Sequence, residues 1–332
     1  MSEPAAAKPS TVSLVLKAVI AIAVTALTLW WAFADVDTER LRSDLARTST
    51  AAVLLFVGAH VVMHAARTVR WALLIAPLGA SPRLAFSSIS VGIPAAFFLP
   101  LRLGEFVRPA FCARHGVPFA GAMAAVAVER VADGIVNVGV FFILLRALPE
   151  SAALPSELTT LSNVALAGFG AGVAFLFATY FARDLVVRTV TAIFAPISPK
   201  VGDKIAHLAT TFVDGLAGLR SVTRLLGFFA TTAVYWGVNG AATWMLASSY
   251  VEHVDFVAGP FTVGVTVFAV MIPAGPAFAG TLEAGYRLGL APFGVPASAA
   301  AVVAVVSHAV QLVFMGAIAG VGALFTPTTK KT

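Results

Sequence analysis

The chain has 332 residues, 59% hydrophobic and 11% charged, with a formal net charge of +6 and a mean hydropathy of +0.92. A soluble domain carries about a quarter charged residues, so an ordinary soluble enzyme is excluded, and apolar runs of about 18 residues or more recur from end to end, as in a polytopic helical membrane protein. The runs lack the period-two alternation of a β-barrel, the positive charge suits anionic lipid headgroups in the absence of any nucleic-acid motif, and the lone Cys112 leaves neither an internal disulfide nor a cysteine-based metal site.

In chain order, Lys8 and Lys17 lead into a first apolar run over 12–34. Ala32-Phe33-Ala34 resembles a signal-peptidase site. The run is nevertheless long enough to span, and Trp30 and Trp31 close it like an interfacial belt, so it is read as a retained first membrane helix. A second span covers 50–66, and Arg67, Arg70 and Arg83 then mark a cytoplasmic loop. An apolar but broken stretch over 84–113 contains Pro94, Pro100, Gly104 and Pro109. A long helix over 117–147 follows, interrupted by Glu129, Arg130 and Asp133, then spans over 161–182 and 225–248. The segment 183–224 is basic and should be cytoplasmic. Within it Ile205, Leu208, Phe212, Leu216 and Leu219 recur at helical spacing, as on an amphipathic helix at the membrane surface or one packed under the bundle. A second broken stretch over 257–291 holds Pro260, Pro273, Gly275, Pro276, Gly280, Gly285 and Gly289, and a last span covers 295–325.

With each broken stretch taken as a re-entrant hairpin, the order is span, span, hairpin, span, twice over. Three crossings per half give the halves opposite orientation, the inverted-topology repeat common in secondary transporters. The expected fold is therefore an all-α polytopic membrane protein with an inverted-topology repeat, about six full spans and two re-entrant broken hairpins. It forms a single domain over 1–332, with a first repeat at 12–147, a second at 161–325, and 183–224 between them as connector. Both termini are expected in the cytoplasm, where Lys330 and Lys331 belong. Loop 35–49 opposes this placement with Arg40, Arg42 and Arg47, although four acids accompany them. The broken stretches correspond directly: Ile93-Pro94, Glu105 and Arg108 in the first, Ile272-Pro273, Glu283 and Arg287 in the second.

A charge at the bilayer centre costs about 2.5–3.5 kcal/mol on insertion scales, so three buried clusters single themselves out. Arg102, Glu105 and Arg108 lie at successive i, i+3 steps, and Glu105 can pair with either arginine, leaving one positive charge for an anion such as a lipid phosphate. Glu129 and Asp133 share a helix face, and Arg130 can bridge to Asp133. Glu283 and Arg287 form an i, i+4 pair. Together the clusters point to a polar cavity. His60 and His64 are four residues apart but have no convincing third ligand, so neither a metal nor a cofactor is expected. His308 and Gln311 read as helix–helix hydrogen-bond formers. No nucleophile site or P-loop is present, and the chain is not expected to be an enzyme.

These residues carry a resemblance. Pro100-Leu-Arg102-Leu-Gly104-Glu105-Phe-Val-Arg108 resembles the P-x-R-x-G-E-x-x-R signature of the lysylphosphatidylglycerol synthase transmembrane region, a flippase-like family. Arg67-Thr-Val-Arg70-Trp71 is similar to its R-x-x-R-W, Glu129-Arg130-Val-Ala-Asp133 to its E-R-x-x-D, and Pro273 to Glu283 to its P-x-x-P-G-G-x-G-x-x-E. Where the family usually has Gly-Gly, this chain has Ala277-Phe278. Some members carry a cytoplasmic aminoacyl-transferase domain, of which this sequence shows no sign. The resemblance therefore implies the translocation half of the activity: movement of a phospholipid or modified lipid headgroup across the bacterial cytoplasmic membrane. Arg102 and Arg108 would hold phosphate, Glu129, Asp133 and Glu283 would offset a cationic headgroup or carry protons, and Arg70, Arg130 and Arg287 would complete the site. The implied partners are membrane phospholipids, anionic or aminoacylated. Candidate protein partners are a second copy of the chain or a separate lipid-modifying enzyme. The alternative readings are an intramembrane enzyme acting on a lipid headgroup, a non-transporting partner of a lipid-modifying enzyme, and a small-solute transporter.

Overall fold

The computed structural model describes residues 11–146, 148, 160, 163–164, 166–168, 170–171, 174, 221–272 and 275–327, with the side chains of 11–18, 20–21 and 100–102 left out. Regular structure among these residues is helical throughout, with no strand. The helices are α1 (Thr11–Phe33), α2 (Thr38–Ala46), α3 (Thr50–Ile75), α4 (Pro82–Phe98), α5 (Val107–Ala113), α6 (Phe119–Leu145), α7 (Val222–Ser248), α8 (Ala258–Ala269), α9 (Thr281–Leu290) and α10 (Ala297–Leu324). Among the described residues, two stretches are long and apolar enough to cross a membrane, Thr50–Leu78 and Ala297–Leu324, while Ile22–Phe33 and Ala258–Ala269 are shorter apolar helices. The expected span 161–182 and the connector up to residue 220 fall largely outside the described residues, as do Pro273, Lys330 and Lys331.

Local chemistry explains most boundaries. Ser49 caps α3 by accepting from the Ala52 amide, and Ser81 caps α4 by accepting from Leu84, with Pro82 at the first helical position. Pro100 ends α4, since the residue before a proline is driven out of the helical region. Within the expected loop 35–49 lies the short α2, which Asp37 caps by accepting from the Glu39 and Arg40 amides. Helix α3 runs well past residue 66 to Ile75, so Arg67 and Arg70 lie inside a helix and not in a loop. Partners within the protein hold these charges.

Both broken stretches fold back on themselves. In the first, α4 packs against the 3-10 segment Pro100–Phe106 and against α5. Gly104 makes this closure achievable, because a Cβ there would stand 2.1 Å from the Ala95 carbonyl oxygen. In the second, α8 packs on α9, and Gly285 and Gly289 each put a would-be Cβ 2.6 Å from the Cα of Thr266 and Thr262. These two glycines form a small-residue stripe that lets the backbones approach closely.

The hairpins approach one another from opposite ends of the bundle. Near the base of the first, Arg83 donates to the carbonyl of Phe325, just past the end of α10. Beside the second, Phe261 on α8 packs on Phe293, just before α10 begins. Their tips meet: Phe97, at the end of α4, has its ring 5.8 Å from that of Phe278. Phe278 also packs against both main apolar cores, one built around Trp71, Ile93, Phe97 and Val126, the other around Phe56, Leu282, Tyr286 and Val303.

Candidate functional site

Three of the motifs converge on one buried group. Arg70 on α3 binds Asp133 on α6 through both nitrogens of its fork, at 2.5 and 3.1 Å, and donates from Nε to Glu129 Oε1 at 3.1 Å. The other Glu129 oxygen lies 2.7 Å from Arg108 Nη1 on α5. Glu129 thus sits between two guanidinium groups, and Arg70, Arg108 and Glu129 are each 1% exposed. Trp236 on α7 donates to Asp133 at 3.0 Å. The Arg108 guanidinium lies 4.5 Å from the centre of the Trp71 ring, whose indole N–H is held by Ser88. The stem of Arg108 passes over Gly92, where a Cβ would stand 1.9 Å from Arg108 Cγ. Nearby, Arg67 donates to the Tyr235 hydroxyl and stacks over its ring.

The network reaches the surface at one point. Arg130 turns away from Asp133 and binds Glu105 at 3.2 Å, with side-chain exposures of 38% and 21%. Glu105 also lies 3.9 Å from Arg108. The expected Arg130–Asp133 bridge is absent because Arg70 and Trp236 already occupy Asp133. The exposed apolar side chains of Leu103 and Phe106 flank Glu105 in the chain. The Arg102 side chain lies outside the described ones. Residues 100–106 form a 3-10 turn, in which side chains three apart share a face, and the expected i, i+3 relation of Glu105 and Arg108 is kept at 3.9 Å.

The second hairpin carries a separate pair. Glu283 and Arg287 do not bind each other. Arg287 donates to Asp35 at 2.5 Å and to the Trp31 carbonyl, and lies over the Trp31 ring. Glu283 accepts from the Gly280 amide at 2.7 Å and lies 2.6 Å from Nδ1 of His308 on α10. The Phe97 and His308 rings meet edge to face, their centroids 6.1 Å apart. No ion pair joins Glu283 to the Arg70–Glu129 network among the described residues, so the charges form two groups with the hairpin tips between them in the contact chain.

The Ala277-Phe278 departure has a conformational cost. Both residues adopt φ of 58°, and Gly280 follows at 85°. Glycine visits this left-handed region freely, whereas other L-residues are strained there by roughly 1–2 kcal/mol each. Ala277 is buried against the first core, and the Phe278 ring fills the gap between the two cores.

Of the weaker candidates, the His60 ring is bonded to the Phe56 carbonyl and the His64 ring to the Ser90 hydroxyl, both at 2.9 Å. His308 bonds across helices, whereas Gln311 donates to Ser307 within its own helix. Sequence reasoning missed Gly92, Tyr235, Trp236 and Asp35 as parts of these groups. Only their proximity in space marks them, apart from Asp35, which follows the first span directly.

The model of the lysylphosphatidylglycerol synthase TM region matches residues 18–319, most of the chain. No curated protein and no solved structure matches it. Helices able to cross a membrane, the paired hairpins and this match lead to one conclusion: the chain is a helical membrane protein that belongs to the lysylphosphatidylglycerol synthase TM region family.

Proposed function

We propose that the protein is a lipid translocase that moves a phospholipid or modified lipid headgroup across the bacterial cytoplasmic membrane, without itself carrying out chemistry on the lipid. In this reading the chain makes about six crossings as two oppositely oriented repeats, with both termini in the cytoplasm. The hairpins enter the membrane from its two sides and meet near the middle. Their approach from opposite ends of the bundle and the Phe97–Phe278 contact support this arrangement.

The observation that carries the reading is a buried ionic network that surfaces beside apolar side chains. Arg70, Arg108, Glu129 and Asp133 are withdrawn from solvent, whereas Arg130 and Glu105, the latter flanked in the chain by the exposed Leu103 and Phe106, are partly exposed. A lipid has the matching form, a charged headgroup next to hydrocarbon. Arg130 has donors to offer a phosphate, and Glu105 can receive a cationic part of the headgroup. Arg108 is too deeply paired to meet phosphate first; it acts here by fixing Glu129 and Glu105.

The test is reconstitution in liposomes with a headgroup-labelled anionic lipid. Glu105→Gln and Arg130→Gln lie at the rim and leave the buried pairs intact. Each is expected to slow translocation about tenfold, equivalent to about 1.4 kcal/mol in the barrier. Unchanged rates in both variants would remove the assignment.

A further inference from the structure

We propose that Glu283 and His308 form a proton-binding site that locks the tip of the second hairpin when loaded and releases it when empty. The proposal extends the transport reading by supplying its coupling ion.

Both residues are buried, Glu283 7% and His308 8% exposed. Glu283 is saturated on two sides, by the Gly280 amide and by His308 Nδ1. An Nδ1–H donates to the carboxylate in either protonation state of the ring: the neutral imidazole leaves a lone pair on Nε2, and the imidazolium carries a second proton there. Nε2 is buried and has no hydrogen-bond partner among the described residues. Without that second proton the pair carries a net charge of −1, and His308 is the twelfth residue of a 28-residue helix, far from either end. The held tip of this structure corresponds to the loaded form. One proton taken from water onto Nε2 gives imidazolium and carboxylate, a neutral pair. No bond other than N–H forms, and no other group changes charge.

The neighbouring helices bring no described charge to compensate the empty state. α8 carries no titratable side chain, and α9 offers Tyr286, bonded to Ser307, and Arg287, committed to Asp35. On α3, His60 and His64 have partners of their own, and Arg67 and Arg70 bind Tyr235 and the buried carboxylates. Arg83 of α4 binds the Phe325 carbonyl, and α7 carries Arg224 and Tyr235. The charges of α2 (Glu39, Arg40, Arg42 and Asp44) and of the loop before α8 (Glu252, His253 and Asp255) lie at the end of the bundle where α1 ends.

The site is wired to a strained element. Glu283 holds Gly280, immediately after Ala277 and Phe278 with their left-handed backbones, and Phe97 touches both Phe278 and His308. A neutral pair is stable in this apolar setting. An uncompensated carboxylate there is not, and its release toward water frees a tip whose backbone already favours relaxation.

The experiment follows the tip and not the lipid. The full chain with Cys112→Ser and Ile272→Cys carries a spin label at residue 272, which is 42% exposed and adjacent to the tip. In lipid nanodiscs, label mobility is expected to rise in one step as pH increases. His308→Asn keeps a donor at the Nδ1 position but has no site for the proton, so the label is expected to be mobile at every pH. Glu283→Gln removes the buried anion and is expected to abolish the step independently. A step that persists in either variant, or its absence from the parent, overturns the proposal. Because no transport is measured, a failed flipping assay with a normal step would count against the translocase reading alone.

Discussion

Glu129 lies within ion-pair distance of both Arg70 and Arg108, and this makes it the residue on which the buried charge depends. Removing its charge leaves two guanidinium groups withdrawn from water with one fewer anion, and breaking a buried pair from one side costs about 3–5 kcal/mol. Glu129→Gln is therefore expected to lower the thermal unfolding midpoint in detergent sharply. Glu105→Gln, at a partly exposed pair, should change stability by no more than about 1 kcal/mol. Equal losses in the two variants would show that depth does not govern these charges. The tip makes a second residue-scale contrast. Ala277→Gly relieves about 1–2 kcal/mol of left-handed strain against roughly 0.5–1 kcal/mol of added chain entropy in the unfolded state, so the midpoint should rise slightly. Phe278→Gly relieves similar strain but empties the space between the cores and should lower it.

Elements here are joined by glycines at close approaches. The first hairpin closes only because Gly104 lets its backbone lie on Ala95, and Arg108 reaches Glu129 only because Gly92 leaves room for its stem. Gly104→Ala meets backbone and cannot be absorbed by a rotamer change. A loss of at least about 1–3 kcal/mol is expected, the usual range for overpacking, read as lower thermal stability and faster proteolysis. Gly58→Ala, where nothing stands within 4 Å, should be neutral or slightly stabilising, as an alanine is in a helix. The hairpins themselves were legible in the sequence, since proline and glycine clusters interrupt otherwise apolar runs, and the structure breaks close to where those clusters lie. Helix α2 was not legible: nine residues rich in charge resemble a loop until Asp37 is seen capping them.

For the molecule as a whole, the contact between hairpin tips adds to the helix packing that joins the two broken stretches. A double-mutant cycle on Phe97→Ala and Phe278→Ala is expected to show a coupling of about 0.5–1.5 kcal/mol, the range for an aromatic pair. Strict additivity would mean that the tips do not meet in the membrane.

Sequence alone was enough to tell that the chain is helical and membrane-embedded, that two broken segments punctuate it, and that R-x-x-R-W, R-x-G-E-x-x-R and E-R-x-x-D place charges inside apolar runs. Those properties rest on composition, on helix breakers and on the cost of charge in hydrocarbon, all of which are local. Only the tertiary structure decided who pairs with whom. Local spacing favoured Glu283 with Arg287 and Arg130 with Asp133, yet Glu283 went to His308, Arg287 to Asp35, Arg130 to Glu105 and Asp133 to Arg70. The reason is energetic: an i, i+4 pair on a helix surface is worth a few tenths of a kcal/mol. A buried charge with no partner costs several kcal/mol, so contacts between helices overrule neighbours along one helix.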